Sequence, residues 1–170
     1  MWYLLLSMIL LVILNLILEL RRIFVLITVK GLSMNPTLVP GNRIVMARTH
    51  SASSLLRGQV VIVAPWDIPQ RRILPPSSRL FIKRIVGMPG DTIITDLNEL
   101  HPTSRESERV HYTSEGCRTW VIPPEHYFVC GDYPEAANDS RIWGPIHQRQ
   151  VVGIACGLER KFTPPPYILR

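Results

Sequence analysis

Lys83 and Ser33 are the residues whose types and surroundings best fit covalent catalysis. Lys83 is one of three lysines and lies inside the apolar run Leu80–Val86, where strand alternation puts it on one face with Phe81 and Ile85. Burial disfavours the ammonium form and can lower the pKa of a lysine from about 10.4 to roughly 5–6. A lysine that has lost its proton can act as a general base.

Ser33 lies in a short segment that follows a long apolar run and is flanked by Gly31 and Pro36. These residues favour an irregular turn, which would expose the hydroxyl and point backbone N–H groups at one place. A serine nucleophile needs a base within about 2.6–3.2 Å. Ser33 and Lys83 together therefore predict a Ser/Lys hydrolase, although each residue alone also fits an ordinary turn serine or a strand lysine with its ammonium in water.

Other catalytic arrangements fit the sequence less well. A Ser-His-Asp triad would need a histidine, and all five stand in loop-like or polar contexts that predict surface or structural roles. No cluster has metal-ligand spacing, so the sequence predicts no metal and no other cofactor. Asp132 and Asp139 lie in a turn-rich segment and are predicted to brace turns and arginines. The five histidines are His50, His101, His111, His126 and His147.

The N-terminus predicts a membrane anchor. Trp2–Leu18 is apolar except for two polar residues and would span about 26 Å as a helix, against about 30 Å for a bilayer core. A cleaved signal peptide fits poorly, because the run lacks a basic start and a small-residue cleavage site. We therefore predict an uncleaved anchor over residues 1–22. Arg21 and Arg22 follow the run, and a charge count would place the rest of the chain in the cytoplasm.

The rest of the chain predicts a mostly β, antiparallel domain over residues 23–158, followed by a tail at 159–170. Polar stretches at 65–79 and 96–116 predict a loop and a loop or small insertion. Short β-branched runs separated by proline and glycine predict the strands. These runs are Ile23–Val29, Arg43–Ala47, Gln59–Ala64, Leu80–Val86, Thr92–Thr95, Thr119–Ile122, Tyr127–Cys130 and Val151–Cys156.

The net charge limits the classes of molecule that the chain is predicted to bind. The formal charge of +6 comes mostly from scattered arginines, without a basic helix or an aromatic platform, so nucleic acid is not a predicted partner. A lipid bilayer with anionic headgroups suits a basic domain on a membrane anchor better.

The chain has three cysteines, and an odd number leaves at least one thiol unpaired. They are Cys117, Cys130 and Cys156. Cys130 and Cys156 stand in apolar runs and are predicted to be buried and free.

Four blocks of the chain stand in the order of a known family. They are Ser33–Leu38, Arg57–Ile62, Lys83–Asp91 and Gly131–Pro145. The ordered set resembles the type I signal peptidases (leader peptidases), which are membrane-bound endopeptidases with a Ser/Lys dyad. The first block resembles the nucleophile block and the third resembles the block that carries the general-base lysine. The resemblance covers roughly residues 1–157.

This resemblance implies that Ser33 attacks the scissile carbonyl, that Lys83 is the base and then the acid, and that a covalent acyl-enzyme forms. The implied substrates are precursor proteins cut after signal peptides with small residues at the first and third positions before the cut. By the same resemblance, Met34, Leu38 and Ile82 would line the shallow substrate pockets.

The resemblance also implies residues that support the site, and a location. The location is the plasma (inner) membrane, with a single-pass anchor and the catalytic domain on the exoplasmic side, against the charge count above. The supporting residues are Gly31, Pro36, Asp139, Ser140 and Arg141.

Three positions depart from the family pattern. Tyr133 stands where the family often has asparagine, and Ala137 stands where it commonly has a serine that binds the catalytic lysine. Gly31 stands where some members have a hydroxyl residue that donates to the oxyanion. These changes keep open a weakly active paralogue that binds precursor segments, beside a specialised Ser/Lys maturation peptidase. A LexA-type self-cleaving regulator is disfavoured, because a membrane run replaces its DNA-binding domain.

Overall fold

The structure, a computed structural model, describes residues 2–48, 55–65, 80–96, 111–112 and 117–158. These residues form one long N-terminal helix followed by a mostly antiparallel β domain, which confirms the predicted fold class. Nearly all of the predicted loop at 65–79, most of the stretch at 96–116 and the tail at 159–170 lie outside the described residues.

The N-terminal helix α1 runs from Trp2 to Ile23 and buries none of its residues in the protein. Its 22 residues span about 33 Å, which is enough to cross a bilayer core. Its length and apolar composition meet the requirements of a membrane span. The next element begins at Phe24, so the chain passes from α1 into the sheet without a linker.

Seven strands form the main sheet in the order β1-β2-β10-β3-β4-β8-β9, and three form a second sheet in the order β5-β7-β6. All pairings are antiparallel. The eight predicted strands are present, with ends that differ by one or two residues. The strands are β1 (Phe24–Thr28), β2 (Arg43–Arg48), β3 (Val60–Val63), β4 (Phe81–Gly87), β5 (Thr92–Asp96), β6 (His111–Tyr112), β7 (Cys117–Val121), β8 (His126–Cys130), β9 (Ile146–His147) and β10 (Val151–Ala155).

The core lies on both faces of the central strands. All four residues of β3 are buried, and its side chains alternate between two apolar clusters. Val60 and Ile62 join the cluster that contains Met34 and Leu38, whereas Val61 and Val63 join the cluster that contains Ile85 and Val129. Because β4 pairs with β3, Lys83 lies opposite Val61 in the middle of this packed region.

The β1–β2 hairpin is apolar on both of its faces. Its inner face packs against the core, and its outer face exposes Phe24, Leu26 and Val45. Leu26 and Val45 are directly paired, so they form one continuous apolar strip with Phe24. The outer face becomes polar at the far end of the ribbon, where Thr28 pairs with Arg43.

Three short elements were not predicted individually from the sequence. His111–Tyr112 forms β6 and pairs with β7, inside the stretch that was predicted as a loop or small insertion. Strand β9 and helix α2 (Ser140–Trp143) were not predicted. Two-residue strands are too short for a periodic pattern. Helix α2 had a local signal, since Asp139 caps its start and Gly144, with φ of 80°, ends it.

Candidate active site

Ser33 and Lys83 meet although fifty positions separate them in the sequence. The Nζ atom of Lys83 lies 2.8 Å from Oγ of Ser33, which is hydrogen-bond distance. Lys83 comes from the middle of β4, and Ser33 comes from the loop between β1 and β2. A lysine amine at this distance can remove the hydroxyl proton directly, which gives the pair the geometry of a nucleophile and its base.

The loop that carries Ser33 is held by its own turns and by the core. The backbone N–H of Asn35 donates to Leu32 O at 2.9 Å, and that of Leu38 donates to Met34 O at 2.8 Å. Met34 and Leu38 are only 1% and 3% exposed, in the apolar cluster beneath the loop. Because these two side chains fix the loop from below, the hydroxyl of Ser33 has a defined position.

Lys83 is the largest of the fully buried side chains and is 1% exposed. Burial lowers the pKa of Lys83 from 10.5 to about 8, because desolvation disfavours the ammonium. The negative charge of Asp139 opposes this shift, and Arg141 adds to it. Its Nζ also lies 5.8 Å from the ring centroid of Phe81, on the same face of β4. Lys83 thus has the apolar surroundings predicted from the sequence, and these lower the pKa of its amine.

Gly131 lets the chain after β8 approach the nucleophile closely. A Cβ atom at Gly131 would lie 2.4 Å from the carbonyl oxygen of Ser33 and 2.7 Å from Cβ of Ala137. Two residues later, the backbone N–H of Tyr133 donates to the same Ser33 oxygen at 3.1 Å. The segment therefore holds the peptide of Ser33 from the side, and any larger residue at 131 would push it away.

An ion pair between buried Arg84 and partly buried Asp132 joins the three segments that meet at the site. Arg84, next to Lys83, binds both carboxylate oxygens of Asp132, at 2.8 and 2.6 Å. It also donates to Gly58 O at 2.8 Å and to Thr37 Oγ1 at 3.3 Å. Removing one partner of such a pair typically costs about 3–5 kcal/mol. Arg84 thereby fixes the loop of Ser33, through Thr37, against the strand of Lys83.

A second buried pair supports the segment after β8. Asp139 accepts hydrogen bonds from the Gly131 N–H at 2.8 Å and from Nε and Nη2 of Arg141 at 3.0 and 2.9 Å. Ser140 Oγ accepts from the Val129 N–H at 3.0 Å, which ties α2 to β8. Asp132 and Asp139 thus brace a turn and two arginines, as their positions in the sequence indicated.

The remaining predicted site residues either shape the loop that carries Ser33 or pack in the core beneath it. Gly31 has φ of 154°, a backbone region that residues with side chains rarely adopt. Pro36 follows a cis peptide bond in the same loop. Ile82 is partly buried against the cluster beneath the loop. Met34 and Leu38, which were predicted to line pockets, belong mainly to the core.

The histidines and cysteines described lie outside the dyad. His126 and His147 are in strands β8 and β9 and are partly buried, and their rings pack edge to face at 5.0 Å, which fits a structural role. Cys130 is free and buried as predicted, and Cys156 is free but only partly buried. Burial raises the pKa of the Cys130 thiol well above its usual value. Within the described ranges, no group of His, Cys, Asp and Glu is arranged to hold a metal.

Sequence reasoning missed Arg84 and Gly131. Arg84 had a local signal, because an arginine inside an apolar run needs a buried anionic partner. Asp132 was available as that partner. The role of Gly131 depends on a contact with Ser33, a residue nearly a hundred positions away, which no local pattern reveals.

Comparison with known proteins gives a consistent result. Residues 1–157 match the family described as "Signal peptidase, peptidase S26". "Signal peptidase I V" of Bacillus subtilis (strain 168) is 27% identical over 157 residues, which cover 82% of this chain and 88% of that protein. "Signal peptidase I" of Leptolyngbya laminosa is 25% identical over 127 residues, covering 72% and 62% of the two chains.

A plant protein is also similar. "Mitochondrial ATP-independent inner membrane protease subunit 1b" of Arabidopsis thaliana is 30% identical over 118 residues, covering 68% of this chain and 58% of that protein. The chain thus spans less than two thirds of the length of two of these three relatives.

We predict that the amine of Lys83 titrates with a midpoint near pH 8. With ¹³C-labelled lysine, the Cε signal of Lys83 should shift around that pH, because burial destabilises its ammonium form. Only three lysines are present, so Lys83→Arg assigns the signal and the other two serve as internal comparison. Three lysines that titrate together above pH 10 would contradict the prediction.

Proposed function

Because the chain belongs to the signal peptidase family, peptidase S26, we propose that it is a signal peptidase I with a Ser33/Lys83 dyad. It is a serine endopeptidase that removes N-terminal signal peptides from exported precursor proteins after small-x-small sites. The observation that carries this proposal is the 2.8 Å distance between Lys83 Nζ and Ser33 Oγ, together with the burial of Lys83.

In the proposed mechanism, neutral Lys83 takes the hydroxyl proton of Ser33 as Oγ attacks the scissile carbonyl. The tetrahedral intermediate collapses, Lys83 gives its proton to the leaving amine, and the signal-peptide part stays as an ester on Ser33. Lys83 then takes a proton from the water that attacks the ester. As this second tetrahedral intermediate collapses, Lys83 returns the proton to Oγ of Ser33, and the signal peptide leaves with a free carboxyl group. The pKa of about 8 suits both steps, because the amine is partly neutral near pH 7 and still basic.

The negative charge on the tetrahedral oxygen needs donors. Gly31 offers no hydroxyl, and its φ of 154° disfavours a side chain there. We assign the task to backbone N–H groups of the loop that carries Ser33. Such preorganised donors are each typically worth about 2.7–4 kcal/mol. The turns of residues 32–38 and the buried Met34 and Leu38 side chains would hold these donors in place.

We propose that a shallow pocket beside the dyad selects the substrate. An extended substrate segment would bind by strand addition, through main-chain hydrogen bonds that do not read side chains. Ile82 would form the accessible part of a shallow pocket, with the edges of Met34 and Leu38 as its floor. Because both floor residues are almost fully buried, the pocket would be shallow and suited to small side chains.

The proposed setting is the plasma (inner) membrane, with α1 as the single-pass anchor and the catalytic domain on the exoplasmic side. Precursors exported across the membrane present their signal peptides there. The exposed strip of Phe24, Leu26 and Val45 continues directly from the end of α1. An apolar surface beside a membrane span is best covered by lipid, so we place this strip against the bilayer.

A second candidate rests on Ala137 and on one relative. Without a hydroxyl at 137, Lys83 lacks a partner that the family commonly supplies, which would suit a slow enzyme or a paralogue that binds precursor segments. The relative named as an inner membrane protease subunit favours a specialised maturation peptidase. Substrate tests separate these candidates from a general signal peptidase.

The dyad is tested with full-length protein in detergent and a precursor that carries an Ala-x-Ala site. We expect a cut directly after this site, read by mass spectrometry of the new N-terminus. Ser33→Ala and Lys83→Ala should each slow it by at least about a thousandfold, since they remove the nucleophile and its base.

The matched controls are Thr28→Ala and Lys30→Ala, which change exposed residues just before the loop and should keep the activity. If wild-type protein leaves intact a precursor that a known signal peptidase cuts, the proposed substrate class is wrong. If the dyad variants cut as fast as the controls do, the assigned residues are wrong.

Ala137→Ser should raise kcat. The side chain at 137 lies beside Gly131 at the site, and a new hydroxyl bound to Lys83 would restrict the amine. A hydrogen bond worth about 1 kcal/mol corresponds to roughly a fivefold gain in rate. Steady-state kinetics would measure it, with the neighbouring exposed Ala136→Ser as control. An unchanged or lower kcat would show that this chain does not need the hydroxyl.

The lipid contact is tested by photo-crosslinking in nanodiscs. Full-length protein with p-benzoylphenylalanine at position 26 or 45 should crosslink to lipid, because both side chains are on the strip next to α1. The matched position is Val121 on β7, which is 68% exposed but belongs to the second sheet. Equal lipid crosslinking at 26 and 121, or crosslinks only between protein chains, would contradict the placement.

A further inference from the structure

The residues predicted to line the substrate pockets contribute little of the exposed surface around Ser33. Met34 and Leu38 are almost fully buried, so a bound segment can touch little of them. Two large side chains beside Ser33 remain exposed in the described structure. Leu32, its neighbour in the chain, is 52% exposed, and Tyr133, which contacts its backbone, is 38% exposed. Selectivity near the scissile bond therefore needs a contribution from side chains outside the predicted pocket.

Tyr133 is attached to the nucleophile residue itself. Its N–H donates to the carbonyl oxygen of Ser33 at 3.1 Å, and Gly131 packs against the same oxygen. The hydrogen bond fixes the backbone of Tyr133 beside Ser33, so any substrate carbonyl within reach of Oγ comes close to residue 133.

Tyr133 is also the one aromatic side chain among residues 131–137. Asp132 is bound to Arg84, whereas Ala136 and Ala137 are small. The backbone on either side is fixed by the Arg84–Asp132 pair and by Arg141, which donates to Pro134 O at 3.2 Å. In the part of the chain that the structure describes, the Tyr133 hydroxyl forms no hydrogen bond. A rigidly based aromatic ring with an available hydroxyl is well suited to contact a peptide.

We propose that Tyr133 determines specificity: its ring forms a wall of the cleft and contacts the substrate residues on either side of the scissile bond. The ring would exclude large side chains at the last position before the cut and the first position after it. Its hydroxyl can donate to a substrate carbonyl. The proposal rests on the proposed peptidase function and adds a contact at Tyr133, where the family often has asparagine.

The first test profiles cleavage with a precursor library randomised at these two positions. Tyr133→Ala should raise the relative kcat/KM for leucine or phenylalanine, at one or both positions, by about tenfold, because the wall is gone. Tyr133→Phe should keep the wild-type preference, since the ring remains. Val121→Ala, an exposed change on the second sheet, is the control. An unchanged preference in Tyr133→Ala would overturn the proposal, whereas a uniform loss of rate would indicate only a structural role.

A second test does not depend on turnover. Ser33→Ala protein with p-benzoylphenylalanine at 133 is mixed with a peptide that spans an Ala-x-Ala cleavage site. Crosslinks to residues flanking the cut, absent with the label at 121, would support the contact even if wild-type protein cut no precursor. That result would count against the peptidase function alone. Equal crosslinking at 133 and 121 would overturn the proposal for Tyr133.

Discussion

The desolvation of Lys83 is the interaction on which the rest of the site depends. An amine in water near pH 7 is an ammonium and cannot accept a proton, so Lys83 can serve as the proposed base only because β4 carries it into packed surroundings. The neighbouring strands β3 and β8 bury it, and the turn of Ser33 meets it at 2.8 Å. The proposed pairing of Ser33 with Lys83 thus depends on the packing of one apolar core.

Charged groups near Lys83 limit how far desolvation lowers its pKa. Asp139 raises the pKa of Lys83 while Arg141 lowers it, and the two are bound to each other. Asp132, which is bound to Arg84, also raises the pKa of Lys83, although less than Asp139 does. The Arg84–Asp132 pair in addition ties together the three segments that meet at the dyad. Both ion pairs therefore act on the electrostatics of Lys83, and the Arg84–Asp132 pair also fixes the geometry.

The sequence predicts the strands well because the apolar runs are short, β-branched and bounded by glycine or proline. It also predicted that Ser33 and Lys83 lie together, since a lysine inside such a run is unusual, and the two side chains are 2.8 Å apart. It could not predict that Met34 and Leu38 would be buried so completely, or that Gly131 would touch Ser33. These features depend on distant segments that meet only in the folded sheet. Arg84 shows the same limit, because its role becomes visible only with Asp132 beside it.

The direct passage from α1 into β1 has a consequence for how substrates are met. Five strand residues of about 3.3 Å each separate the helix end from the loop of Ser33, so the hydroxyl has a short, stiff reach of roughly 17 Å along the strand. A flexible linker would let the β domain lie at many distances from the membrane. Here α1 runs directly into the hairpin whose loop carries Ser33. Under the proposed function, substrates held in the same bilayer would meet Ser33 by diffusion in two dimensions, and the bond that is cut would be selected by its distance from the membrane as well as by its side chains.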